Sequence, residues 1–109
     1  MEAEILKSEL PSLDKLLDSP ICGALIQTKI EKIRSDRARI LSTAPHGARI
    51  RRTAFDVFVD ANMLTPFYFC KAYERIVEKR SRLALRERKF IKEIVNSALI
   101  DTVVQMNKK

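Results

Sequence analysis

A chain of 109 residues with 46% apolar and 32% charged side chains has enough apolar surface for one buried core and too much of it for a disordered tail. Two glycines and four prolines are too few for the turns of a sheet protein of this length, so long helices joined by few loops are expected. A net charge of +7 says more about partners than about fold, and it points to something anionic.

The N-terminus, Met1-Glu2-Ala3-Glu4, is acidic and lacks an apolar stretch, so no secretory signal is expected. No apolar run approaches the roughly 18 residues of a membrane span. The expected compartment is the cytoplasm, or the nucleus of a eukaryote, and no membrane partner is expected. Cys22 and Cys70 are far apart and follow no ligand spacing, which predicts two buried free thiols.

Residues 1–18 read as a short N-terminal helical stretch: a weak turn or two over Glu2–Leu10, a break at Pro11, and a restart capped by Ser12, with Leu13, Leu16 and Leu17 on one face. Ser19-Pro20 is an N-cap followed by proline at the first helical position, and it predicts a helix over 20–43. Ile26, Ile30, Ile33 and Ile40 form its apolar stripe. Arg37 stands in that stripe, either with its stem on the stripe and its head at the edge or as the mark of a core that ends near Ile33. Residues 44–52 read as a basic loop, with Pro45, His46 and Gly47 followed by Arg49, Arg51 and Arg52.

Residues 53–105 read as a three-helix segment. Thr53 with Asp56 three residues later opens the first helix, which is expected to reach about Asn62 and to be buried nearly all round, Val57 and Val59 included. Phe55–Val59 is also rich in strand-forming residues, but nothing nearby can pair with a strand. Thr65-Pro66 opens the second helix, expected to run through Lys79 or Arg80 with Phe67, Phe69, Cys70, Tyr73, Ile76 and Val77 on its core side. Tyr68, Lys71, Arg75 and Lys79 take the opposite side. Ser81 is expected to cap the third helix, which buries Leu83, Phe90, Ile91, Ile94 and Val95. Its second half changes face, with Leu99, Ile100, Val103, Val104 and Met106 directed elsewhere. The expected architecture is all-α: one domain, a compact bundle of about four to five helices with a long C-terminal helix.

No catalytic constellation is expected. His46 is the only histidine and lies in a loop; Asp56 and Asp60 share a helix face but lack companions for a metal; Gly23 and Gly47 are isolated and make no phosphate loop. No cofactor and no metal site are therefore expected. Basic charge is the remaining signal. Lys71, Arg75 and Lys79 repeat at i, i+4, i+8, a spacing that costs a few tenths of a kcal/mol per pair in a lone helix. Residues 74–92 hold eight basic and three acidic side chains, and Arg49, Arg51 and Arg52 add a further cluster. Arginine's planar fork suits phosphate oxygens.

These features predict a small nucleic-acid-binding protein, DNA ahead of RNA, in an accessory or regulatory role. Its contacts would be Lys71, Arg75, Lys79, Arg80, Arg82, Arg86, Arg49, Arg51, Arg52 and Tyr68. The helices either side of Met63 would be a weak helix-turn-helix match, because the second opens on Phe67-Tyr68-Phe69 where base-reading polar residues belong. The alternative is a non-enzymatic helical adaptor that docks on an acidic protein surface or forms a homodimer through Leu99, Ile100, Val103 and Met106. Pairs such as Glu78 with Arg82 would neutralise part of the basic surface.

Overall fold

The computed structural model describes residues 12–47 and 52–108. The expected turns at Glu2–Leu10 and two of the basic-loop arginines, Arg49 and Arg51, lie outside the described residues. Among those described, all regular structure is helical: α1 Leu13–Asp18, α2 Pro20–Thr43, α3 Ala54–Asp60, α4 Pro66–Val77 and α5 Leu85–Met106. The protein is an all-α bundle with a long C-terminal helix. No described helix is long and apolar enough to cross a membrane.

Helix starts follow side-chain chemistry. Ser12, Ser19, Thr53 and Thr65 each accept a backbone N–H of the first turn, with Pro20 and Pro66 at the first helical position. At Thr53 the capping box is complete. The Thr53 hydroxyl accepts from the Asp56 N–H at 3.3 Å, and the Asp56 carboxylate accepts from the Thr53 N–H at 2.7 Å.

Helix ends follow another rule. Asn62 and Lys79 take positive φ (58° and 60°). After α3, Asn62 N–H bonds to Val59 C=O and Met63 N–H to Phe58 C=O; after α4, Lys79 N–H bonds to Ile76 C=O and Arg80 N–H to Arg75 C=O. Both are Schellman ends. Thus α3 stops at Asp60, short of the expected Asn62, and α4 stops at Val77, short of Lys79. Ser81 caps nothing helical. Its hydroxyl accepts from Leu83 N–H at 3.2 Å within the connection, and α5 opens at Ala84 with no side-chain cap.

The start of α2 lies against the end of α5, with Pro20 beside Gln105 and Lys29 paired to Asp101 at 3.5 Å, so the two run antiparallel. Between them and α4 sit Cys22, Ile26, Ile30, Phe69, Ile91, Val95 and Ala98, all fully buried. Cys22 and Cys70 are free and buried, as expected; the Cys70 thiol donates to the Leu17 C=O at 3.6 Å. Buried Thr102 satisfies its hydroxyl on the Ala98 C=O at 2.6 Å. Phe55, Phe58, Phe69 and Phe90, with Tyr68 alongside, form an aromatic cluster with ring centroids 5.6 to 6.2 Å apart. It ties α3 and α4 onto α5, each such pair adding about 0.5–1.5 kcal/mol to plain burial.

Arg37 settles its ambiguity by pairing. Its guanidinium meets the Asp56 carboxylate at 3.0 Å, both side chains mostly covered. Past that pair the core ends, and Ile40 and Leu41 are half exposed. Three further expectations fail on burial. Val59 on α3 and Val77 at the end of α4 are exposed, because α3 packs through Ala54, Phe55 and Phe58 alone and Val77 lies in a last turn that no other helix covers. Phe67, expected in the core, is 73% exposed, because α4 docks through Phe69, Cys70 and Ala72, a face turned away from Phe67.

Candidate nucleic-acid interface

The rotation of α4 decides what the basic surface looks like. With Phe69 and Ala72 facing inward, the outward stripe reads Phe67, Lys71, Arg75 at i, i+4, i+8. The chain then reverses at Lys79, where the left-handed backbone turns it back on itself. The returning segment, Arg80-Ser81-Arg82-Leu83, lies beside α4 and makes a second wall. Between the walls is an open notch of about 440 Å³ with Tyr68, Ala72 and Leu83 as its less polar lining. Four cations, Lys71, Arg75, Arg80 and Arg82, line it with Phe67.

Two of these cations have carboxylate neighbours and two do not. Lys71 stands 3.8 Å from Glu74, and Arg80 pairs with Glu78 at 2.8 Å. Glu78 therefore takes Arg80, not Arg82 as the spacing suggested. Among the described residues no carboxylate lies within ion-pair distance of Arg75 or Arg82. The Lys71 ammonium also stands over the Phe67 ring, 5.7 Å from its centroid. The Tyr68 ring leans on Phe58 and Phe69. Burial pushes its phenol above the ordinary value, and the Arg75 charge partly offsets this, so the hydroxyl is protonated and able to donate to an anion.

The remaining expected contacts separate from this site. Lys79 leaves the helical stripe at the reversal and does not line the notch. Arg52 and Arg86 belong to a second hollow of about 410 Å³ with Thr53, Lys89, Phe90 and Glu93. Arg52 pairs there with Asp60, Arg86 approaches Glu87 at 3.8 Å, and an Arg86 N–H donates to the Arg52 C=O at 3.4 Å. The cations of the second hollow meet a comparable number of acids, whereas the first keeps an excess. Asp56 and Asp60, each held by an arginine, are engaged in the fold.

Sequence reasoning named five of the notch's lining residues, Tyr68, Lys71, Arg75, Arg80 and Arg82, and missed Phe67. Its i, i+4 relation to Lys71 was the available signal; its size argued for the core and prevailed. An outward Phe67 also weakens the helix-turn-helix match, since the start of α4 offers a bare ring where a recognition helix needs hydrogen-bonding groups.

On the C-terminal face, Leu99 packs against the core and Val103 is half-buried, while Ile100 is 65% exposed and Met106 is exposed at the helix end. The four expected interface residues are thus split between core and surface. No family model, no curated protein and no solved structure matches this chain.

Proposed function

We propose that this protein is a non-enzymatic nucleic-acid-binding protein, acting in an accessory or regulatory role through the notch between α4 and the 80–83 segment. What supports the reading is the convergence of Lys71, Arg75, Arg80 and Arg82 on one concavity, two of them without a carboxylate partner among the described residues. Guanidinium groups offer paired donors that suit phosphate oxygens, and Tyr68 in the same lining carries a neutral hydroxyl donor. Four phosphate contacts would give log Kd a dependence on log salt of about 3.6 for a duplex and about 2.8 for a single strand.

The test is fluorescence anisotropy of labelled 12-nucleotide single strands and 12-base-pair duplexes at 50 and 200 mM salt. Wild type is expected to bind at the lower salt and to weaken steeply at the higher. The triple change Lys71→Glu, Arg75→Glu and Arg82→Glu, all at exposed positions, is expected to abolish binding while helicity and melting temperature stay near wild type. Absence of wild-type binding at 50 mM salt contradicts the proposal.

One observation favours a second reading, a helical adaptor. Ile100 and Val104 lie one turn apart on the outer side of α5, both exposed, and an apolar pair of this kind suits a second protein surface. Light scattering on wild type and Ile100→Asp separates the two. The nucleic-acid reading expects monomers of equal stability, and a wild-type dimer that Ile100→Asp dissociates would favour the adaptor.

A further inference from the structure

Phe67 carries the highest exposure among the large apolar side chains described, 73%. It is held there by design of the helix start. Thr65 caps α4 by accepting the Tyr68 N–H at 3.1 Å, and Pro66 fixes the first turn, so Phe67 cannot rotate into the core without moving Phe69 out of it. Its ring borders the cationic notch, and Lys71 and Arg75 follow it along α4 at steps of about 6 Å. An aromatic face exposed beside phosphate-binding cations is the arrangement by which proteins hold unpaired bases: the base stacks, the backbone is neutralised.

We infer that the notch holds one unpaired nucleotide, its base stacked on Phe67 and its phosphates on Lys71, Arg75 and Arg82, so that single-stranded nucleic acid is the preferred ligand. This rests on the nucleic-acid reading above and narrows it. Two features favour the single strand over the duplex. Base faces inside a duplex are already covered by their neighbours and cannot meet Phe67. A concavity of about 440 Å³ admits one nucleotide and not a double helix. Stacking on a ring and contacts to phosphate do not depend on base identity, so binding of this kind tolerates many sequences. The Lys71 ammonium now over the ring is on an exposed, flexible arm, and a bound phosphate draws it aside.

The chain has two tyrosines and no tryptophan, so Phe67→Trp installs one tryptophan at the stacking position, excited selectively at wavelengths the tyrosines do not absorb. Its emission is expected to be quenched by a 12-nucleotide oligothymidylate and left unchanged by polyphosphate, which has the charge without the bases. Phe67→Ala is expected to weaken oligothymidylate binding roughly 5- to 150-fold while a 12-base-pair duplex moves less than twofold. Equal single-strand affinity in wild type and Phe67→Ala, with the Lys71, Arg75 and Arg82 triple change still damaging, overturns the stacking inference and leaves the broader reading standing. Polyphosphate quenching equal to that of the oligonucleotide overturns it as well. No binding of any polyanion by wild type at 50 mM salt removes both.

Discussion

Lys79 holds a backbone conformation, φ 60°, that L side chains other than asparagine and aspartate adopt at a cost. It is tolerated because the reversal satisfies the last carbonyls of α4 through the Lys79 and Arg80 N–H groups. Glycine at that position would relieve the crowding of the Cβ, and Lys79→Gly is expected to stabilise the fold by about 0.5–1 kcal/mol, read as a raised denaturation midpoint. Because Lys79 does not line the notch, its loss is expected to weaken oligonucleotide binding far less than the loss of Arg75 or Arg82. Asn62 does the same work after α3 at lower cost, since asparagine tolerates this region. These two residues also hide the helix ends from the sequence: glycine is the usual mark of such an end, and neither end carries one. Phe67 is hidden for a related reason: its hydrophobicity points to the core, and only its i, i+4 register with Lys71 points outward.

Among the elements, α3 depends most on a single side chain. Asp56 closes the capping box with Thr53 and also receives Arg37 of α2 at 3.0 Å, so one carboxylate starts one helix and fastens it to another. Burial alone would push that carboxyl up; the Thr53 N–H and hydroxyl and the Arg37 charge outweigh it and hold it below the ordinary carboxylate value. The group is therefore more acidic folded than unfolded, where about 3.9 is usual. Its stabilising contribution is complete above that value and is lost as pH falls through the lower folded one. Asp56→Asn is expected to cost about 1–3 kcal/mol at pH 7, and the gap to wild type is expected to narrow at pH 3. Denaturant melts of both proteins at the two pH values check this. The starts of these elements were legible because a cap and a proline are local chemistry, as at Ser19-Pro20 and Thr65-Pro66. The Arg37–Asp56 pair was not, because it joins residues on different helices.

For the molecule as a whole, the distribution of charge matters more than its sum. A net +7 could have been scattered or cancelled. The bundle sets four cations against two carboxylates at the α4 reversal, and elsewhere pairs Arg52 with Asp60, Lys29 with Asp101, and Lys32 and Arg39 with the single carboxylate of Asp36. The basic stripe on α4 was visible in the sequence as a period. The opposite wall, Arg80 to Leu83, was visible only as a dense charge run, since its return beside Lys71 and Arg75 depends on a left-handed lysine that no pattern announces. The apolar C-terminal residues divided in the same way, with Leu99 drawn to the core and Ile100 left outside by a one-residue difference in helix phase.

Binding confined to the notch would leave its mark on the backbone amides, which chemical-shift mapping with an unlabelled 12-nucleotide single strand reads residue by residue. Shifts are expected to gather on Phe67 to Arg75 and Arg80 to Leu83, leaving Asn96 to Met106 unmoved. Shifts spread evenly over every lysine and arginine, or centred on Ile100 and Val104, would overturn the proposed site.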